Sequence, residues 1–280
     1  MSVFIKAIKL YRKYGYDIKT GLNPYHFLGK GSLYYPFTYI FNKNTINELA
    51  TGGGISPIEV YMIEDFSYIF KPKNIFIIGN AFGWSTIVMS LAFPNAKIIA
   101  LDAGIEGRDA MLGIELTNKI AKNEGLNSYV EYGYSPQDTQ KIVSKYFNNN
   151  RLDFVFIDGL HTNEQLLKDF YGVVDFCYEQ TVYLFHDVIN WNMKSSFLKI
   201  ATYLGKSHDS NLLYRTTSGM GICIPKSSDE NIKFVVNSFT EKDEYIAILN
   251  QSLTTRSKIK STIAKFIPNF IKKQIKRLLK

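Results

Sequence analysis

Residues 73–102 read KNIFIIGNAFGWSTIVMSLAFPNAKIIALD, and this stretch decides the fold. Asn74–Ile78 is a short isoleucine-rich run of the kind that a strand buried on both faces requires. Gly79-Asn80-Ala81-Phe82-Gly83 interrupts it. Two glycines four apart allow a tight turn and a close backbone approach to a ligand. A strand-to-helix turn that needs glycine for geometry alone explains the pair equally well. Residues 84–93 have helical spacing, and Pro94-Asn95 ends it. Residues 96–101 form a second apolar strand, with Asp102 at its carboxyl end, where a carboxylate can accept the hydroxyls of a ribose. Position 81 is alanine, which departs from the G-x-G-x-x-G pattern and argues against a nicotinamide dehydrogenase.

The alternation continues on both sides. Ser56-Pro57-x-Glu59 carries the signature of a helix N-terminus, and that helix is predicted to run to Phe70. Further strands are predicted at 128–134, 152–157 and 181–185, with helices between them. Residues 212–217 and 221–224 are predicted to pair antiparallel through the Ser218-Gly219 turn. The expected fold is α/β: a doubly wound, Rossmann-like, mostly parallel seven-stranded sheet closed by a C-terminal antiparallel hairpin. An aromatic N-terminal cap or lid is expected over 1–51, the main domain over 52–228, and a helical extension over 229–280.

The net charge of +8 is concentrated at one end. Residues 256–280 hold nine Lys or Arg and no acid, while the other 255 residues hold 24 basic and 25 acidic side chains. A nearly neutral body lacks the basic face that a nucleic-acid partner needs. In the tail, Ile259, Ile263, Phe266, Ile267, Phe270 and Ile271 share a helical face opposite the cations, which suits an anionic membrane surface. A helix docked on protein is the alternative. No apolar run of about 18 residues appears, so no membrane-spanning helix is expected. Cys177 and Cys223 sit in apolar contexts, consistent with a reducing compartment. The expected location is cytoplasmic, with the tail at the inner face of the membrane.

The chemistry gathers at the strand ends. FVFIDGLH (154–161) and YLFHDV (183–188) are buried strands that run directly into Asp158, His161, His186 and Asp187. Taken singly, the aspartates can cap helices and the histidines can satisfy buried carbonyls. Together at neighbouring strand ends they make a site, able to hold a divalent ion or supply a general base.

These segments, with IIGNAFGWST (77–86), IALDAG (99–104), GIELTNKIAKNEG (113–125) and FHDV (185–188), resemble the class I S-adenosylmethionine-dependent methyltransferases. Within them the closest resemblance is to the small-molecule O-methyltransferase branch of macrocin and cephalosporin-hydroxylase type. The resemblance implies S-adenosylmethionine as cofactor, bound by Gly79, Asn80, Phe82, Gly83, Asp102, Ser135 and Asp158. It implies Asp158, His161 and His186 as catalytic groups, and Asp158, His186 and Asp187 as ligands of Mg²⁺ or another divalent metal. The implied reaction is methyl transfer to a hydroxyl of a sugar, glycan or other small molecule, as in polysaccharide biosynthesis, by a chain that can self-associate. The alternatives are a hydroxylase-like metalloenzyme on the same fold and a non-catalytic membrane-associated binding protein. Two positions depart from the pattern: Ile77 stands where the family carries an acid, and Ser135 stands near the place of another.

Overall fold

The computed structural model describes residues 1–20, 37–42, 54–105, 110–148 and 151–252. The basic tail at 256–280, most of the N-terminal aromatic run and Thr51–Gly53 lie outside them. The chain divides into two compact units, one of residues 1–22 and 35–240 and one of 23–34 and 241–280. In the second, residues 243–252 are helical. No helix among the described residues is long and apolar enough to cross a membrane.

The first unit is built on strands β3 (Asn74–Ile78), β4 (Lys97–Asp102), β5 (Ser128–Tyr132), β6 (Phe154–Ile157), β7 (Val182–Phe185), β8 (His208–Leu213) and β9 (Met220–Pro225). They lie in the order β5-β4-β3-β6-β7-β9-β8. The first five are parallel; β9 pairs antiparallel with both β7 and β8. This is the expected seven-stranded sheet with its closing hairpin. The hairpin is longer and placed earlier than the sequence indicates, and residues 214–219 form its turn. The polar run His208–Asn211 hides the strand. As the sheet's edge, β8 needs only one side buried, and His208 is tucked in with Nε2 2.7 Å from the Thr181 carbonyl.

Alternation along each strand sorts the core into two layers. Ile75 and Ile77 of β3, Ile98 and Ala100 of β4, and Phe154 and Phe156 of β6 pack one way. They meet helices α1 (Val3–Lys13), α2 (Pro57–Ile69), α3 (Trp84–Ala92), α4 (Ala110–Glu124) and α8 (Glu230–Phe239). Phe76, Ile78, Ile99, Leu101, Val155 and Ile157 pack the other way, against α5 (Thr139–Phe147), α6 (Asn163–Val173) and α7 (Lys194–Leu204). Ile77, where the resemblance implies an acid, is wholly buried under the first set of helices. Cys177 and Cys223 are buried free thiols, each pushed up to about 12 by burial.

The N-terminal segment holds an element that its sequence does not announce. Strands β1 (Tyr16–Thr20) and β2 (Thr38–Asn42) form a separate antiparallel ribbon. Its aromatic neighbours pack inward: Tyr11 is wholly buried, and its hydroxyl donates to the Phe82 carbonyl at 2.7 Å.

Strand order reverses between β3 and β6, so their carboxyl ends lie side by side and open a crevice. Gly79 sits at that point with φ of 94°, and a Cβ there would stand 2.0 Å from the Asp158 carbonyl oxygen. Both the backbone conformation and the space exclude a side chain. Gly79→Ala is therefore expected to destabilise the protein by at least about 2 kcal/mol in urea denaturation. An unchanged midpoint would show that the two strand ends can move apart.

Candidate active site

A cleft of about 470 Å³ opens along the carboxyl ends of β3, β4, β5 and β6. Gly79, Asp102, Ser135, Asp158 and His161 line it, as the sequence predicts. A hollow of about 40 Å³ shares Gly79, Asp158 and His161 with it and reaches Asn80, Phe82 and Trp84.

Asp102 does more than face the cleft. Its Oδ2 accepts the backbone N–H of Asn80 at 2.6 Å and of Ala81 at 2.9 Å, and its Oδ1 accepts that of Gly104 at 2.7 Å. A carboxylate offers about four acceptor positions. Three hold the turn in shape, leaving roughly one on Oδ1 for a ligand hydroxyl. The Asn80 side chain is also committed to the fold: it donates to the Ala81 carbonyl and Thr117 Oγ1, and accepts from Thr86. Gly83, at φ of 81°, caps α3 without a side chain, because a Cβ would stand 2.0 Å from Thr117 Oγ1. Gly83 does not border the main cleft, and Phe82 reaches only the hollow, being otherwise packed in the core.

The four charged or imidazole residues do come together. Asp158 Oδ1 lies 3.2 Å from His161 Nε2 and 3.0 Å from His186 Nδ1. Asp187 Oδ2 lies 3.6 and 3.4 Å from the same two nitrogens. One donor atom from each residue falls within 4.8 Å of all the others. His186 and Asp187 are consecutive, and in a regular strand they would face opposite sides. Asp187 escapes this by taking a left-handed conformation, φ 55°, just after β7.

Charge follows geometry here. Burial alone would raise the Asp158 carboxyl, but the charge on His186 and the bond from His161 outweigh it and hold the group well below the usual carboxylate range. Burial would lower His186 and His161, but the adjacent carboxylates, Asp158 foremost, raise both above an ordinary imidazole.

Four residues that sequence reasoning passed over belong to this region. Glu59 is wholly buried, with Oε2 3.3 Å from His186 Nε2, 127 residues away. Its capping-box signature accounts for it locally and masks the second role. Trp191 stacks on His161 with ring centroids 5.5 Å apart, and stays 59% exposed at the cleft mouth. Gln165 and Asp169 are one turn apart on α6. The Gln165 amide donates to Asp169 Oδ1 at 2.7 Å and to the Ser135 carbonyl at 2.8 Å. Only the i, i+4 spacing hints at that pair.

Against this geometry stand the comparisons with known proteins. Residues 76–188 match the model of a family described as a methyltransferase domain. That segment is therefore similar to a methyltransferase domain. The match runs from β3 to the residue after Asp187, and so spans every strand end that meets the cleft. Solved structures resembling the chain include a provisionally assigned caffeoyl-CoA O-methyltransferase from Staphylococcus aureus, 14% identical, with a TM-score of 0.48 over 61% of this chain and 85% of that one. An O-methyltransferase from Bacillus cereus, solved with S-adenosylhomocysteine, is 16% identical, with a TM-score of 0.47 over 62% and 83%. A methyltransferase from Geobacter sulfurreducens is 10% identical, with a TM-score of 0.43 over 60% and 77%. No curated protein sequence matches the chain.

Asp169, within the matched segment, supplies a measurable signature. It is 1% exposed, and burial pushes its carboxyl up to about 6, against the pull of its Ser135 and Gln165 bonds. A folded pKa above the unfolded one favours the native state at low pH. That contribution is complete below about pH 4 and is lost as pH rises through about 6. Asp169→Asn is thus expected to gain up to about 3 kcal/mol on the wild type between pH 4 and pH 7 in denaturant titrations. A difference independent of pH would show that the carboxyl is hydrated.

Proposed function

We propose that this chain transfers a methyl group from S-adenosylmethionine to a hydroxyl of a sugar, glycan or other small hydroxylated molecule, assisted by a divalent metal. The observation that carries the reading is the meeting of a glycine-floored cleft with the Asp158–His161–His186–Asp187 cluster at one end of it. When bound, the cofactor supplies an electrophilic methyl on a sulfonium.

The residues fit that cofactor. The missing side chain at Gly79 lets a ligand reach the backbone at the β3–β6 crevice. The remaining Oδ1 acceptor of Asp102 suits one ribose hydroxyl. Gly133 and Ser135, backed by Gln165 and Asp169, border the cleft beyond β5, where an adenine would lie. Asn80, Phe82 and Gly83 contribute by shaping the turn.

The cluster also fits a divalent ion. His186 is 2% exposed, and its Nδ1 is buried without a hydrogen-bond partner beside two carboxylates. Asp158, His186 and Asp187 would hold the ion, which lowers the pKa of a hydroxyl bound to it. His161, more open than His186 and fixed between two acids, is placed to exchange the acceptor's proton. The exposed face of Trp191 offers a flat wall to a sugar ring or an aromatic acceptor. The pairing of two imidazoles with two carboxylates is what favours the second reading, an iron-dependent hydroxylase, and Fe²⁺-dependent oxygen consumption separates the two. The basic segment 256–280 would hold the enzyme at an anionic membrane surface, where lipid-linked glycans are made.

Calorimetric titration with S-adenosylhomocysteine tests the core of this reading. Micromolar binding is expected, weakened at least tenfold by Asp102→Asn; no binding by the wild type would remove the methyl-transfer claim. Co-sedimentation with phosphatidylglycerol vesicles at low salt, lost on deleting residues 256–280, is expected for the tail. Equal sedimentation of both forms would remove its role.

A further inference from the structure

We propose that Glu59 is a positioning residue that fixes the His186 tautomer, and that the resulting site selects transition-metal ions such as Mn²⁺, Co²⁺ or Zn²⁺ over Mg²⁺. The inference rests on the metal-assisted part of the proposed function and extends it to a residue outside the cleft and to the class of ion.

Glu59 lies in the first turn of α2, where its cap requires a single bond, the one that Oε2 accepts from the Ser56 N–H at 2.7 Å. A carboxylate with only that task sits in solvent. Glu59 is instead fully buried, and its Oε1 accepts from both the backbone N–H and the hydroxyl of Ser218, at 2.8 and 2.6 Å. Ser218 comes from the turn between β8 and β9, 159 residues away in sequence. The carboxylate is therefore clamped by its own cap and by one distant turn, and its remaining contact is His186 Nε2.

The chemistry of that contact has one direction. An ionised carboxylate only accepts, so Nε2 must donate. In the neutral ring Nδ1 is then a lone pair. It points toward Asp158 Oδ1 at 3.0 Å and Asp187 Oδ2 at 3.4 Å, in a position 2% exposed and without a bonded partner. Phe37 and Phe156, each with its ring centroid 6.2 Å from that of His186, leave the imidazole little polar company on its other sides. A lone pair facing two carboxylates is repulsive until a proton or a metal ion lies among them, and a metal ion can meet all three groups at once. Histidine ligands to metals commonly give their second nitrogen to a carboxylate, which sets ring orientation and basicity. Imidazole suits later first-row ions such as Co²⁺ and Zn²⁺; Mn²⁺, though chiefly an oxygen binder, stands at the weak end of that transition series and accepts a nitrogen ligand more readily than Mg²⁺, which like Ca²⁺ takes oxygen donors.

The experiment uses the full chain, with Mn²⁺ and Mg²⁺ as probes in calorimetry and pulsed EPR of the Mn²⁺ form. The wild type is expected to bind Mn²⁺ at least tenfold more tightly than Mg²⁺ and to show nitrogen couplings from a directly bound imidazole. Glu59→Gln is expected to weaken Mn²⁺ binding about 10- to 100-fold and to alter those couplings, with S-adenosylhomocysteine affinity unchanged. Should Glu59→Gln fail to fold, Ser218→Ala is expected to weaken Mn²⁺ binding to a smaller degree, and His186→Asn to abolish the couplings. Wild-type Mn²⁺ affinity in the Glu59 variant, or in Ser218→Ala where that stands in for it, overturns the positioning role. Equal affinity for Mn²⁺ and Mg²⁺ overturns the selectivity. Failure of the wild type to bind either ion overturns this inference and the metal-assisted reading together. Methyl transfer itself would stand or fall on S-adenosylhomocysteine binding.

Discussion

The carboxylate of Asp102 accepts three backbone N–H bonds, from Asn80, Ala81 and Gly104, and so ties the end of β4 to the turn that follows β3. A turn with left-handed residues at Gly79, Ala81 and Gly83 points several N–H groups toward one spot, and they need a common acceptor. Asp102 is that acceptor. Asn80 secures the same turn from below through Thr86 and Thr117, which joins it to α3 and α4. The floor of the cleft is therefore set before any ligand arrives, and Gly79 can lie against the Asp158 carbonyl because the turn is held on both sides.

Across that floor lies the opposite electrostatic arrangement. Three carboxylates and two imidazoles gather within and beneath the end of the cleft, in surroundings where an unpaired charge is costly. The fold meets this cost by distributing donors. Glu59 takes hydrogen bonds from Ser56 and Ser218, His186 bridges Glu59 to Asp158, and His161 lies between Asp158 and Asp187. His186 Nδ1 faces Asp158 and Asp187 at 3.0 and 3.4 Å without a hydrogen bond of good geometry to either. The group held least well in this network is the one that faces both strand-end carboxylates.

Much of this was legible from residue order. The five strand–helix repeats, the closing hairpin and the strand-end positions of Asp102, Asp158, His161, His186 and Asp187 follow from apolar runs and their punctuation. What escaped has physical causes. Strand β8 is polar because it is an edge, and the β1–β2 ribbon has too little alternation to stand out among aromatics. Asn80 and Gly83, expected from the sequence as ligand contacts, also serve the turn and the approach of α4, and a glycine required for packing looks the same in sequence as one required for binding. Glu59 reads as a helix cap, and it is one.

The sequence by itself determined the doubly wound sheet and the set of chemical groups at its carboxyl edge, because strand alternation and glycine placement are local and periodic. The tertiary structure alone decided which of those groups share a site. The αL turn at Asp187, the reversal of strand order between β3 and β6, and the burial of Glu59 against His186 and Ser218 each bring together residues far apart in the chain or facing apart on it. Such meetings depend on how layers pack, and no local pattern of residues encodes them.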